Sequence, residues 1–272
     1  MRLRPLTASV PKALCPVGNV ALLDRALARL THHGLSGPAL VAVNACYLAD
    51  RVAGHVGGRA FVSVEPGPPA LGTAGAVANL RDWIAGRGVL VGNADAYLSP
   101  AGPTTTDLAP LLHDWDGSTV RILGVPAEDG HAEFDGMRFA GFSLLPWSMV
   151  EVLPEGRSEL VRQVWRPAEA AGRLELVAYG GVYLDTGTPA HYLDANLHAA
   201  GGGSLVAPDA VVTGELDRAV IGAGAHVYGA VSRGVVWPGG FVGAGERLVD
   251  GIRAGRDLTV DASYASHDLG PH

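Results

Sequence analysis

The stretch LVAPDAVVTGELDRAVIGAGAHVYGAVSRGVVWPGGFVGAGERLV, residues 205–249, decides the architecture. Written as three lines of 15 residues beginning at Leu205, Val220 and Val235, it aligns with itself. Val206, Ile221 and Val236 fall in one column, and Val212, Val227 and Val242 in a second, six residues on. Short repeats of aliphatic residues and glycine predict a β-helix, in which each coil buries its aliphatic columns against the next. Three ordinary hairpins are the competing arrangement. Three coils lie near the minimum for such a stack, so it is expected to pack on the preceding domain or on another subunit, and a homo-oligomer is expected.

Working back from the repeat, the composition change from Ala199 to Gly203, ending in a glycine run, marks a boundary and gives three segments: 1–200, a repeat domain at 201–262, and a tail at 263–272. Ahead of that boundary, Thr188 and Pro189 have the residue types that start a helix, here one carrying Tyr192, Leu193 and Asn196. In residues 20–33 the apolar positions Leu22, Leu23, Ala26, Leu27 and Leu30 recur at helical spacing. Asn19 is placed to cap that helix, and His32, His33 and Gly34 to end it. The apolar run 39–43 predicts a strand, 61–64 a second, 73–85 a helix burying Val77, Leu80 and Ile84, and 89–91 a third strand. Strands alternating with helices imply an α/β domain with a Rossmann-like, mostly parallel sheet, whose ligands lie beyond the C-terminal strand ends. Asp95 follows the third strand at such a place.

Composition narrows the function. With 272 residues, 48% of them hydrophobic, the chain can bury a full core. Twenty Lys plus Arg against 27 Asp plus Glu leave a net charge of -7, which repels a phosphate backbone, so nucleic acid is not an expected partner. Cys15 and Cys46 are the only thiols and lack a zinc spacing, so they read as reduced residues. No apolar run approaches the roughly 18 to 20 residues of a membrane span, and the N-terminal residues lack a signal-peptide stretch. The expectation is a cytoplasmic protein without a membrane partner.

Among 20 basic residues, Lys12 is the single lysine. An ammonium is a compact point charge on a flexible stem, suited to close approach to a phosphoryl group where a planar guanidinium is not. On composition alone a chance survivor on the surface explains it as well. Its surroundings change that reading. Arg2-Leu3-Arg4-Pro5-Leu6-Thr7, Pro11-Lys12-Ala13-Leu14 and Pro16-Val17 resemble the signature of the sugar-1-phosphate nucleotidyltransferases, the NDP-sugar pyrophosphorylases. The resemblance continues through Val43-Asn44, Glu65, Leu71-Gly72-Thr73-Ala74-Gly75, Asn93-Ala94-Asp95 and Asp185-Thr186-Gly187-Thr188-Pro189.

That resemblance implies an NTP and a sugar 1-phosphate as substrates, and an NDP-sugar and pyrophosphate as products. It implies that Arg2 holds the triphosphate, that Lys12 sits between donor and acceptor phosphates, and that Asp95 and Asp185 bind Mg2+. Magnesium's preference for one or two carboxylates plus phosphates and water suits such a pair. Taken singly, either aspartate reads equally as a turn or cap residue. The resemblance further implies that Gly72, Thr73, Ala74 and Gly75 lie against the nucleobase, where free backbone N–H groups entering a helix can meet polar atoms. It matches Gly141 to a sugar-contacting strand and the repeat to a left-handed β-helix. The Trp237-Pro238-Gly239 repeat style resembles the branch using GTP and mannose 1-phosphate.

Two departures stand out. The family's first strand and glycine-rich loop precede the residue matching Arg2, so the resemblance implies further chain upstream of Met1. The family's Glu-Lys-Pro segment has no counterpart at Pro126-Ala127-Glu128-Asp129-Gly130-His131, which removes the lysine expected to grip the sugar phosphate. A non-catalytic paralogue that binds NDP-sugar and regulates a partner is the alternative function.

Overall fold

The computed structural model describes residues 3–102, 107–127 and 132–263. They pack as two compact units, one of Met1–Arg25, Asp95–Tyr97 and Leu184–His272, the other of Ala26–Ala94 and Leu98–Tyr183.

The second unit is α/β. Strands Ala42–Ala45 and Phe61–Val64 pair in parallel, Ala42 opposite Phe61, with helix Ala49–Val56 as the connection. The first of these strands starts later than its apolar run predicts, because Gly37 O accepts hydrogen bonds from Leu40 N and Val41 N and ties the run's beginning into a turn. The helix predicted over 73–85 is two pieces, Gly72–Asn79 and Arg81–Ile84. At Leu80 the backbone leaves helical geometry (φ -97°, ψ 7°) and its N–H closes on Val77 O, a tightened last turn. Val77 and Ile84 are buried all the same, against Ile122, Leu145, Leu160 and Val164. Strands Val89–Gly92, Met137–Leu145, Val120–Pro126 and Leu174–Ala178 form a sheet in that order. Its first two pairings are antiparallel and its third parallel, so the sheet system is mixed.

In the first unit, parallel stacking replaces the hairpin alternative. Leu205–Val206, Leu216–Ile221, Ala230–Val236 and Arg247–Ala254 form one sheet of parallel neighbours, and Val211–Val212, His226–Val227 and Phe241–Val242 another. Val206 pairs with Ile221 and Ile221 with Val236, while Val212 pairs with Val227 and Val227 with Val242. Both predicted columns are therefore real ladders. The next step lengthens, with Val235 opposite Ile252, and Leu258–Asp261 then turns back antiparallel to end the stack.

Alternation of side chains, reset within Ala230–Val236 by the left-handed backbone at Arg233 (φ 46°), buries both faces of the strands. Ala219, Ile221, Val231 and Val236 point into the coil with Val227 and Val242. Val220, Val235 and Ile252 point outward into a second cluster with Tyr192, Leu193 and Ala195 of helix Pro189–Ala199 and with Leu3, Leu6, Cys15 and Val17. A stack this short is thereby covered along its outer face. That helix begins as its sequence predicts: Thr188 caps it, its hydroxyl accepting from His191 N at 3.3 Å, and Pro189 is its first residue.

Asn19 is not a helix cap. Pro16–Val17 and Val20–Ala21 form a hairpin whose two turn residues, Gly18 (φ 56°) and Asn19 (φ 63°), both have left-handed backbone, and helix Leu22–His32 starts beyond it. A Gly-Asn pair suits a two-residue turn of this kind. The Asn19 side chain instead donates to Ile221 O at 2.9 Å. At the other end Gly34 (φ 76°) closes the helix as expected. No helix among the described residues is long and apolar enough to cross a membrane.

Candidate active site

Lys12, Asp95 and Asp185 come together in the first unit, although 173 residues separate the first from the last. Lys12 opens a short helical turn, Lys12–Leu14, after Pro11. Asp95 directly precedes strand Ala96–Ser99, and Asp185 ends strand Val182–Asp185, the partner of that strand. The buried Thr186 hydroxyl donates to Asp95 O at 2.7 Å and fixes the two aspartate backbones side by side. The Lys12 ammonium lies 3.1 Å from Asp95 Oδ2 and 3.4 Å from Asp185 Oδ1. Its side chain is 15% exposed and the carboxylates 45%. Gly187 is small for a reason: a Cβ there would press on the Asp185 carboxylate at 3.1 Å.

The charge sum of these three groups is one negative, on hard oxygen donors that remain half open to solvent. Among the described residues no group of three or more His, Cys, Asp or Glu side chains is arranged to hold a metal. A pair of carboxylates fits magnesium, which completes its shell from phosphates and water, and does not fit zinc, which takes three or four protein ligands.

Beneath Lys12, Cys15 is fully buried, and burial pushes its thiol up to about 12, the Lys12 charge offsetting only part of that shift. Reactivity follows the thiolate, so Cys15 is chemically silent in the folded protein. Treatment with iodoacetamide at pH 8 should leave Cys15 unmodified until urea is added, as read by peptide mass. Labelling of the native protein would mean that this segment opens. Tyr192 is also buried, its hydroxyl donating to Pro16 O and accepting from Trp237 Nε1 at 3.0 Å. Burial drives its ionisation well above the ordinary phenol value. Tyr192 thus anchors the chain segment leading away from Lys12 and takes no part in proton transfer.

The other predicted residues belong to the second unit or lie outside the description. Arg2, and Glu128 to His131 of the segment lacking the expected lysine, are outside the described residues. Gly141 is buried in strand Met137–Leu145 at φ 84°, and its carbonyl accepts from Asn93 N at 2.8 Å. Gly72, Thr73, Ala74 and Gly75 do open a helix, but the N–H groups of the last three are not free. Ala74 N and Gly75 N donate to Ser158 O at 3.0 and 3.2 Å, and Thr73 N donates to Glu159 Oε2 at 3.1 Å. Glu65, 4% exposed, accepts from Leu71 N at 2.8 Å and from Asn44 Nδ2 at 2.7 Å. Sequence reading finds Glu65 and Thr186 only as parts of motifs and misses Ser158 and Glu159, whose partners are remote in sequence.

Residues 1–129 match the family model described as nucleotidyl transferase. That match spans 129 of the 272 residues, the N-terminal part of the chain. The chain is 26% identical over 230 residues to N-acetylmuramate alpha-1-phosphate uridylyltransferase of Caulobacter vibrioides, covering 73% of this chain and 92% of that protein. Its fold is similar to that of a Bacillus anthracis protein assigned as a glucose-1-phosphate thymidylyltransferase and solved with sucrose. The TM-score there is 0.62 at 18% identity, over 73% of this chain and 90% of the other. A further match, 35% identical over 69 residues, is to ribosomal large subunit pseudouridine synthase B of Vibrio cholerae. It spans 25% of this chain and only 22% of that relative's length.

Proposed function

We propose that the protein is a magnesium-dependent sugar-1-phosphate nucleotidyltransferase, making an NDP-sugar and pyrophosphate from an NTP and a sugar 1-phosphate. The observation that carries this reading is the convergence of the only lysine on two aspartates brought in from distant parts of the chain. In such a reaction an oxygen of the sugar phosphate bonds to the α-phosphorus of the NTP, the bond from that phosphorus to the bridging oxygen breaks, and pyrophosphate departs. The attacking group is already an anion at neutral pH, so no general base is needed, and rate comes from positioning and charge neutralisation.

Asp95 and Asp185 would hold Mg2+, which when bound supplies positive charge to the triphosphate. Lys12, tethered between the two carboxylates, directs its ammonium at donor and acceptor phosphates. Arg2 holds the triphosphate, Gly72, Thr73, Ala74 and Gly75 take the base end of the nucleotide, and Gly141 backs the sugar. The C-terminal parallel stack is read as a short left-handed β-helix.

The decisive assay incubates the full chain with magnesium, each of four NTPs and a panel of sugar 1-phosphates, and measures pyrophosphate. The panel includes mannose 1-phosphate with GTP, N-acetylmuramate 1-phosphate with UTP, and glucose 1-phosphate with dTTP. Release from at least one pair, lost in Asp95→Asn, is the expected result. The absence of a lysine between residues 125 and 141 favours a second reading, a non-catalytic NDP-sugar-binding regulator. Retained NDP-sugar binding with no release from any pair would establish that alternative.

A further inference from the structure

The helix Gly72–Asn79 begins with N–H groups that lack intrahelical partners and carry the positive end of the helix dipole, the usual setting for a bound phosphate. Here that end is already filled by the protein's own segment 156–160. The Glu159 carboxylate accepts from Thr73 N at 3.1 Å and from the Thr73 hydroxyl at 2.8 Å. Thr73 Oγ1 in turn accepts from Leu160 N at 2.9 Å. Ser158 N donates back to Leu71 O at 2.9 Å, while Ser158 O takes the next two amides of the helix. The glycines serve this docking. A Cβ on Gly72 would lie 2.6 Å from Glu159 Oε1, and one on Gly75 would lie 2.3 Å from Gly156 O.

A phosphate approaching this turn would therefore meet a negative charge and find the amides of Thr73, Ala74 and Gly75 already taken. We propose that Glu159 is a positioning residue for nucleotide binding, acting through Thr73 to lock the turn Gly72–Gly75 in the shape that receives the uncharged base end of the nucleotide and refuses its phosphate end. The proposal rests on the reading of Gly72–Gly75 as the nucleotide turn.

The test is steady-state kinetics and NTP binding by calorimetry on the full chain with magnesium and its best substrate pair. Glu159→Ala should raise the KM for NTP about tenfold with kcat within threefold, since two hydrogen bonds to a charged acceptor are lost before chemistry begins. Glu159→Gln keeps an oxygen acceptor for Thr73 and should recover most of that loss. Thr73→Val should reproduce the KM effect, and combining it with Glu159→Ala should add little further, as expected for two residues acting through one contact. A purely structural role would lower the melting temperature of these variants without this split between KM and kcat. A KM within twofold of wild type in Glu159→Ala and Thr73→Val, in an enzyme that turns over normally, overturns the role of Glu159 and leaves the nucleotidyltransferase reading intact. Wild-type protein that binds no NTP overturns both. Should Glu159→Ala not fold, the KM of Thr73→Val decides alone.

Discussion

Lys12→Arg should lower pyrophosphate release by a factor of about a hundred or more, with Asp95→Asn and Asp185→Asn losing as much. The lysine stands 3.1 and 3.4 Å from two separate carboxylates, a geometry open to a point charge whose three donors rotate freely. A guanidinium is planar and rigid. Set between Asp95 and Asp185 it pairs in a fork with one carboxylate and turns its remaining donors away from the place where, in the proposed reaction, the phosphates meet. The loss of one well-aimed charge of this kind typically costs 10²–10³ in turnover. Because the substitution conserves charge, a melting temperature near wild type together with lost activity separates the catalytic role from a structural one. Activity within a few fold of wild type would remove the lysine from the chemistry.

Gly229→Val should unfold the stacked coil, destabilising the protein by about 3 kcal/mol or more. At successive turns the backbone of one coil presses directly on the next. A Cβ on Gly229 would lie 2.3 Å from Glu246 O and 2.4 Å from Gly243 O, and one on Gly214 would lie 1.7 Å from Gly229 O. These are backbone atoms held in the stack, so no side chain can move aside to make room. Gly243 supplies the control. It has no positive φ, and a Cβ there would meet only side-chain atoms at 3.5 and 3.8 Å, so Gly243→Ala should change stability by about 0.5 kcal/mol or less. Urea unfolding followed by circular dichroism measures both. Equal midpoints for Gly229→Val and wild type would show that the coils are not stacked through this corner.

Several features were legible because their cause is local or periodic. The columns Val206, Ile221, Val236 and Val212, Val227, Val242 announce stacking, since a repeat that pairs with itself must place like residues opposite like. Thr188-Pro189 and Gly34 mark helix ends through their own backbone preferences. Asn19 misled because the same residue type serves caps and left-handed turns, and the hairpin Pro16–Ala21 decided between them. The break at Leu80 was invisible, since the helical spacing of Val77 and Ile84 is kept across it.

By itself, the order of residues determined the α/β class, the stacked repeat and the three charged residues of the candidate site, because a periodic pattern or a short motif carries each within a few neighbours. Only the tertiary structure decided that Lys12 meets Asp95 and Asp185, that helix Pro189–Ala199 covers the outer face of the coil, and that Glu159 occupies the helix end at Thr73. Those contacts join residues as many as 86 or 173 positions apart, and the energy that selects such pairs comes from burial and electrostatics across the folded chain, which no local spacing encodes.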